Sequence, residues 1–118
     1  MEWIYSAAEP KPVETRKHLG MRQRTVNYNI ERTAEGDYRH HALTLEPGVW
    51  SYDAIVDALV RAEYPHDRMD ATVNNYLDDP DDPEARAEMK TMQRWRARAK
   101  EIARAAMEYE AGKGGNDV

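Results

Sequence analysis

The chain reads as an α+β protein: an antiparallel β-hairpin packed on three helices, the last one long. Three observations predict this class. Residues 21–32 alternate apolar and polar side chains, the period of a half-buried strand. Between residues 51 and 77 the apolar side chains change to steps of three and four, the period of amphipathic helices. From Pro83 the helical spacing runs on to about residue 111 with no proline or glycine inside it.

In the first strand Val26, Tyr28 and Ile30 fall on one face, and Asn27, Asn29 and Glu31 on the other. Ala34-Glu35-Gly36-Asp37 follows as a turn, with Gly36 placed where positive φ is needed. Closing it with Ala34 opposite Asp37 sets Ile30 against His41, Tyr28 against Leu43 and Val26 against Leu45. Inward residues then meet inward residues, as one buried face demands. Pro47-Gly48 ends the second strand. Ahead of the hairpin, Trp3-Ile4-Tyr5 can supply a third strand. Pro10 and Pro12 break regular structure after it, and the rest of residues 1–20 is weakly patterned.

Ser51 is a natural cap for the first helix, and Trp50 before it can pack on Ile55. Ile55, Val56, Leu59 and Val60 form that helix's apolar stripe. Tyr64-Pro65 interrupts it. A second helix spans about Asp67 to Leu77, with Met69, Val73, Tyr76 and Leu77 on one side. Asp78-Asp79-Pro80-Asp81-Asp82-Pro83 is the connection, and Asp82-Pro83 suits a cap followed by proline in the first helical position. The two helices form an αα-hairpin. Along the third, Met92, Trp95, Ala99, Ile102, Ala106 and Tyr109 recur as a heptad-like seam. Everything from residue 1 to 111 belongs to one domain, with the hairpin at 21–46 and the helices at 51–110. Gly112-Lys113-Gly114-Gly115 opens a flexible tail, 112–118.

The core is short of large aliphatics. Leu, Ile and Val total 16, Phe is absent, and Ala alone contributes 16. Seven Tyr, three Trp and six Met supply part of the missing volume. Such a thin core invites a partner. The chain has no cysteine, which excludes a disulfide framework and a thiolate metal site. No run of about 18 apolar residues could span a membrane. Met1 to Glu9 is too short and too acidic for a signal peptide, so a cytoplasmic location is expected.

Charge is strongly segregated. Residues 46–88 carry twelve acidic and three basic groups, and residues 90–104 carry six basic and one acidic. The basic group is Lys90, Arg94, Arg96, Arg98, Lys100 and Arg104. These side chains flank the seam on both sides, and acidic helices of the same chain are the expected neighbours. A phosphate-contacting helix is the alternative, with Arg94, Arg98 and Arg104 as its candidates. An overall charge of −5 weighs against it.

No constellation with a recognisable chemistry is present. The aspartate run 78–82 has two adjoining prolines and lacks the glycine that calcium loops use. His40 and His41 are adjacent on a strand and point to opposite faces; His18 and His66 stand alone. None of the four has the i, i+4 spacing of a zinc helix. His41 is expected on the buried face beside a polar partner. Ser6 and Ser51 are the only serines, and no glycine-rich phosphate loop occurs. Catalytic, cofactor and metal residues are therefore not assigned. Trp50, Tyr52, Tyr64, Tyr76, Trp95 and Tyr109 are expected to build core. The seam residues Met92, Trp95, Ala99, Ile102, Ala106 and Tyr109 are the candidates for a contact with a partner.

The helical half has a further pattern. It opens with Trp50-Ser51-Tyr52-Asp53-Ala54-Ile55-Val56-Asp57-Ala58. It continues through Tyr64, Asp67, Ala71 and Asn74-Asn75-Tyr76-Leu77, and closes with Trp95-Arg96, Ala99-Lys100 and Ala103. Over residues 48–107 this resembles small uncharacterised proteins encoded in Bacteroidales phages and prophages. Pro65 stands where that pattern has a serine-type cap. The resemblance implies a mobile-element origin and a virion-associated or accessory role, and it carries over no catalytic residue. The expected function is a non-enzymatic structural or protein-interaction protein, acting as an oligomer or adaptor, with a nucleic-acid accessory as the alternative.

Overall fold

Antiparallel pairing organises the first half of the chain. A computed structural model describes residues 2–116, with four strands in that half. These are β1 (Ile4–Ser6), β2 (Val13–His18), β3 (Met21–Arg32) and β4 (Tyr38–Thr44), in the spatial order β1-β4-β3-β2. The α+β class is the one the pattern predicts, with β3–β4 at its centre and the N-terminal strand paired to β4. The sheet is wider than expected by β2. Only Val13 of that strand is buried, so its sequence carries no alternation to read. Its charged remainder suits an edge, where it discourages pairing with another chain. Leu19 and Gly20 join it to β3 at φ 53° and 75°, the twist of a two-residue hairpin turn.

The β3–β4 register departs from the expected one. Val26 faces Leu43 and Tyr28 faces His41. Two local features produce the shift. The turn closes Thr33 onto Asp37, with Thr33 N donating to the Asp37 carbonyl at 2.7 Å, and Gly36 at φ 92° ends the three-residue loop. Further along, Asn29 at φ 53° sits in a bulge between Tyr28 and Glu31. Each feature displaces the pairing by one residue. Two such displacements keep the parity, so inward residues still meet inward residues.

Three helices follow: α1 (Tyr52–Glu63), α2 (His66–Asp78) and α3 (Pro83–Asn116). Ser51 Oγ caps α1 by accepting from Ala54 N at 3.1 Å. Pro65 precedes α2 and gives it no side-chain cap. Asp82 caps α3, accepting from Glu84 N at 3.3 Å, with Pro83 first in the helix. Gly112 does not end α3. It lacks the left-handed conformation of a glycine cap, and the helix runs to Asn116. Residues 117–118 of the expected tail lie outside the described residues.

One apolar cluster joins the layers. Val13, Val26, Tyr28 and Leu45 come from the sheet and the segment after it, Ile55, Leu59 and Val60 from α1, and Ala99, Ile102, Ala103 and Ala106 from α3. The alanines let α3 approach α1 closely. Trp95 donates its indole N–H to the Leu59 carbonyl at 2.9 Å, which satisfies the polar edge of a half-buried ring.

Little of α2 enters this core. Thr72 is its one buried residue, and the Thr72 hydroxyl turns back to the Arg68 carbonyl at 2.9 Å. Leu77, expected on the apolar side, is 66 % exposed. α2 packs on α3 rather than on the sheet. Together α2 and the first turns of α3 make an arm that stands off the core. The radius of gyration is 17.0 Å, against about 13–14 Å for a compact chain of this length. α3 has 34 residues and spans about 51 Å at the usual helical rise, close to the 55 Å long axis.

Candidate interaction surface on the long helix

The apolar face of α3 points inward. Met92, Ala99, Ile102 and Ala106 are each at most 5 % exposed, and Trp95 and Tyr109 are half-buried against the same core. The face these six side chains form, expected to meet another subunit, is covered inside the chain: all but Met92 belong to or pack on the cluster shared with α1 and the sheet, and Met92 is itself buried. Their spacing marks the buried face correctly. It does not say whose surface covers that face.

The cations project from the other half of α3. Arg86, Lys90, Arg94 and Arg98 follow one another at steps of four and form a row. Arg96, Lys100 and Arg104 form a second row. All seven are exposed. Arg98 alone of the seven has bonding partners, among the described residues: Glu101 of its own helix at 3.3 Å, and Asn29 Oδ1 at 3.0 Å. No ion pair among the described residues joins a basic side chain of α3 to a carboxylate of α1 or α2. This corrects the expected internal pairing. The seam occupies the face of α3 that meets α1, so the cations beside it are turned to solvent. The ion pair that does tie α3 to the sheet has the opposite polarity. Glu110 accepts from Arg24 at 3.1 Å, with both side chains about six-sevenths buried, and Arg24 also lies 5.0 Å over Trp50.

The arm ends in an acidic tip. Asp79 Oδ1 accepts from Asp81 N at 3.2 Å, which shapes the turn, and Asp82 caps α3. Among the described residues no group of three or more His, Asp or Glu side chains is arranged to hold a metal ion. Along one side of the arm runs a groove of about 540 Å³ lined by Tyr76, Pro83, Arg86, Met89, Lys90 and Gln93. A neighbouring groove of about 430 Å³, which shares Ala87 with it, has a lining that includes Tyr64, Arg68, Asn75 and Glu88. Arg68 lies 4.6 Å over the Tyr64 ring and donates to the Glu63 carbonyl at 2.9 Å. Tyr76, expected in the core, lines a groove instead.

A second cleft, about 230 Å³, lies between β3 and α3, with Asn27, Asn29, Arg98 and Glu101 in its wall. Arg98 can only donate, so it faces Asn29 Oδ1. The Asn29 amide group then points to His41 Nδ1 at 3.2 Å, which fixes that nitrogen as the acceptor. His41 is buried as expected, and its ring stacks on Trp3 at 3.9 Å. Arg39 lies 4.2 Å over the other ring of that stack, Trp3. Burial holds the His41 imidazolium below the ordinary histidine value, and burial together with nearby Glu63 pushes the Tyr28 phenol up to about 12. Asn27 donates its amide to the Lys11 carbonyl at 2.8 Å, while Asn29, Arg98, Glu101 and His41 serve one another. Sequence reasoning missed this cleft because it rests on the Asn29 bulge. The signal available was Asn-Tyr-Asn inside a strand, since asparagine is poor in strands and tolerates positive φ.

Of the nucleic-acid candidates, Arg98 is engaged with Asn29, while Arg94 and Arg104 are exposed on different rows. No helix of the described chain is long and apolar enough to cross a membrane. No family model matches the chain, and no curated protein or solved structure matches it.

Proposed function

We propose that the protein is a non-enzymatic interaction module, an adaptor or oligomer-forming protein that docks through the α2–α3 arm. A mobile-element accessory or virion-associated setting fits the sequence resemblance. The observation that carries this reading is the arm: two helices off the core, with an acidic tip, a basic flank and half-buried Tyr76 and Met89 between them. A surface polarised in this way suits a protein partner of matching polarity better than a uniform polyanion, which the tip would repel. The test is site-specific photocrosslinking in the cells that make the protein. A photoreactive residue at position 77 on the arm should give protein adducts, and one at position 4 on the sheet should not. Absence of protein adducts from the arm would refute the proposal.

One observation favours a second reading, a nucleic-acid accessory. Arg94, Lys100 and Arg104 are exposed without ion-pair partners among the described residues. Fluorescence anisotropy with a labelled oligonucleotide then shows binding whose salt slope falls by about one for each cation removed. No change in anisotropy at low salt would end this reading.

A further inference from the structure

We infer that the arm's partner is a second copy of this chain, docked antiparallel about a two-fold axis. This rests on the reading of the arm as the docking element and names its occupant. The argument is charge complementarity along one rod. Asp78, Asp79, Asp81 and Asp82 form the tip, while Lys90 and Arg94 lie nearer the core on the same helix pair. Twelve residues separate Asp82 from Arg94, about 18 Å of helix. When two arms lie antiparallel, each tip reaches the other copy's Lys90 and Arg94, and both acid–base contacts form at once. A parallel arrangement would set tip against tip. The two-fold also sets the groove of one copy against that of the other. Arg86 on the same wall then faces a cation of the other copy, which weakens the contact, but Tyr76 and Met89 come near their counterparts. Such self-complementarity is what an isologous interface requires.

Size sets the strength of this contact. α2 has 13 residues, so the docking face is about 20 Å long and two helices wide. That is below the roughly 1,200 Å² of total buried surface typical of stable complexes. The dimer is accordingly weak, reversible and sensitive to salt.

Sedimentation velocity on the purified chain, over a concentration series at low and at high ionic strength, tests this. The expected result is exchange between 13.7 kDa and twice that mass, with the dissociation constant rising about tenfold or more as salt screens the tip. Reversing the cations (Lys90→Glu with Arg94→Glu) should abolish the dimer, as should reversing the tip at two exposed aspartates that neither cap a helix nor hold the turn (Asp78→Lys with Asp81→Lys). Mixing the two reversed chains in equal amounts should restore a heterodimer. The neutral pair Lys90→Gln with Arg94→Gln serves if a reversed chain misfolds, and weakens the dimer about tenfold. A chain that stays monomeric at every concentration in low salt overturns the inference. So does a dimer indifferent to salt, or reversed chains that fail to combine. A monomeric chain that still gives arm adducts to a different protein removes the second copy alone. A monomeric chain with no arm adducts removes the docking reading as well.

Discussion

At the residue scale, Asn29 is the joint between sheet and long helix. Its backbone takes positive φ, and its side chain passes a fixed orientation from Arg98 to His41. Asn29→Ala loses both roles and should cost about 1–3 kcal/mol, read from urea unfolding. Asn29→Gly keeps the backbone conformation and should cost less. His41 links the same network to pH. Because its folded value lies below the ordinary one, the unfolded chain binds the proton more readily. Stability is therefore full above the ordinary value of about 6.5 and falls as pH drops below it. The urea midpoint should fall between about pH 7.5 and about pH 5.5, and by less in His41→Gln; equal falls would contradict the assignment. The burial of His41 was legible from strand alternation. The residue opposite it was not, because a bulge follows from one asparagine's φ, and composition does not report φ.

At the scale of elements, α3 is one helix in two environments. Its later turns sit in the core against α1, where Ala99 and Ala103 are fully buried. Replacing Ala103 with Leu should overpack that crossing and cost about 1–3 kcal/mol. Leu59→Ala in α1 should cost about 2–5 kcal/mol. Leu77→Ala on α2 should change stability by less than about 0.5 kcal/mol, since that side chain is exposed. Thermal or urea unfolding of the three variants checks the order. The caps Ser51 and Asp82 and the helical spacing were legible because a few local residues determine them. β2 was not, because an edge strand with one buried residue leaves no alternation. The outward turn of the cations was also hidden. Counting charges shows that acidic and basic helices coexist, but which faces meet is decided by the apolar seam.

For the whole molecule, the elongated shape follows from that division: a closed core of sheet, α1 and the later part of α3, and an arm with little buried surface of its own. The central claim is that the arm is held mainly by α3, with only Arg68 and Met69 of α2 reaching α1 and the core, until something docks on it. Hydrogen exchange, followed peptide by peptide at low and high ionic strength, tests it most directly. The account predicts strong protection in α1 and residues 95–109 at both, with weak protection in residues 66–91 at high salt that rises at low salt as arms pair. Uniform, salt-independent protection from α2 through the whole of α3 would contradict it.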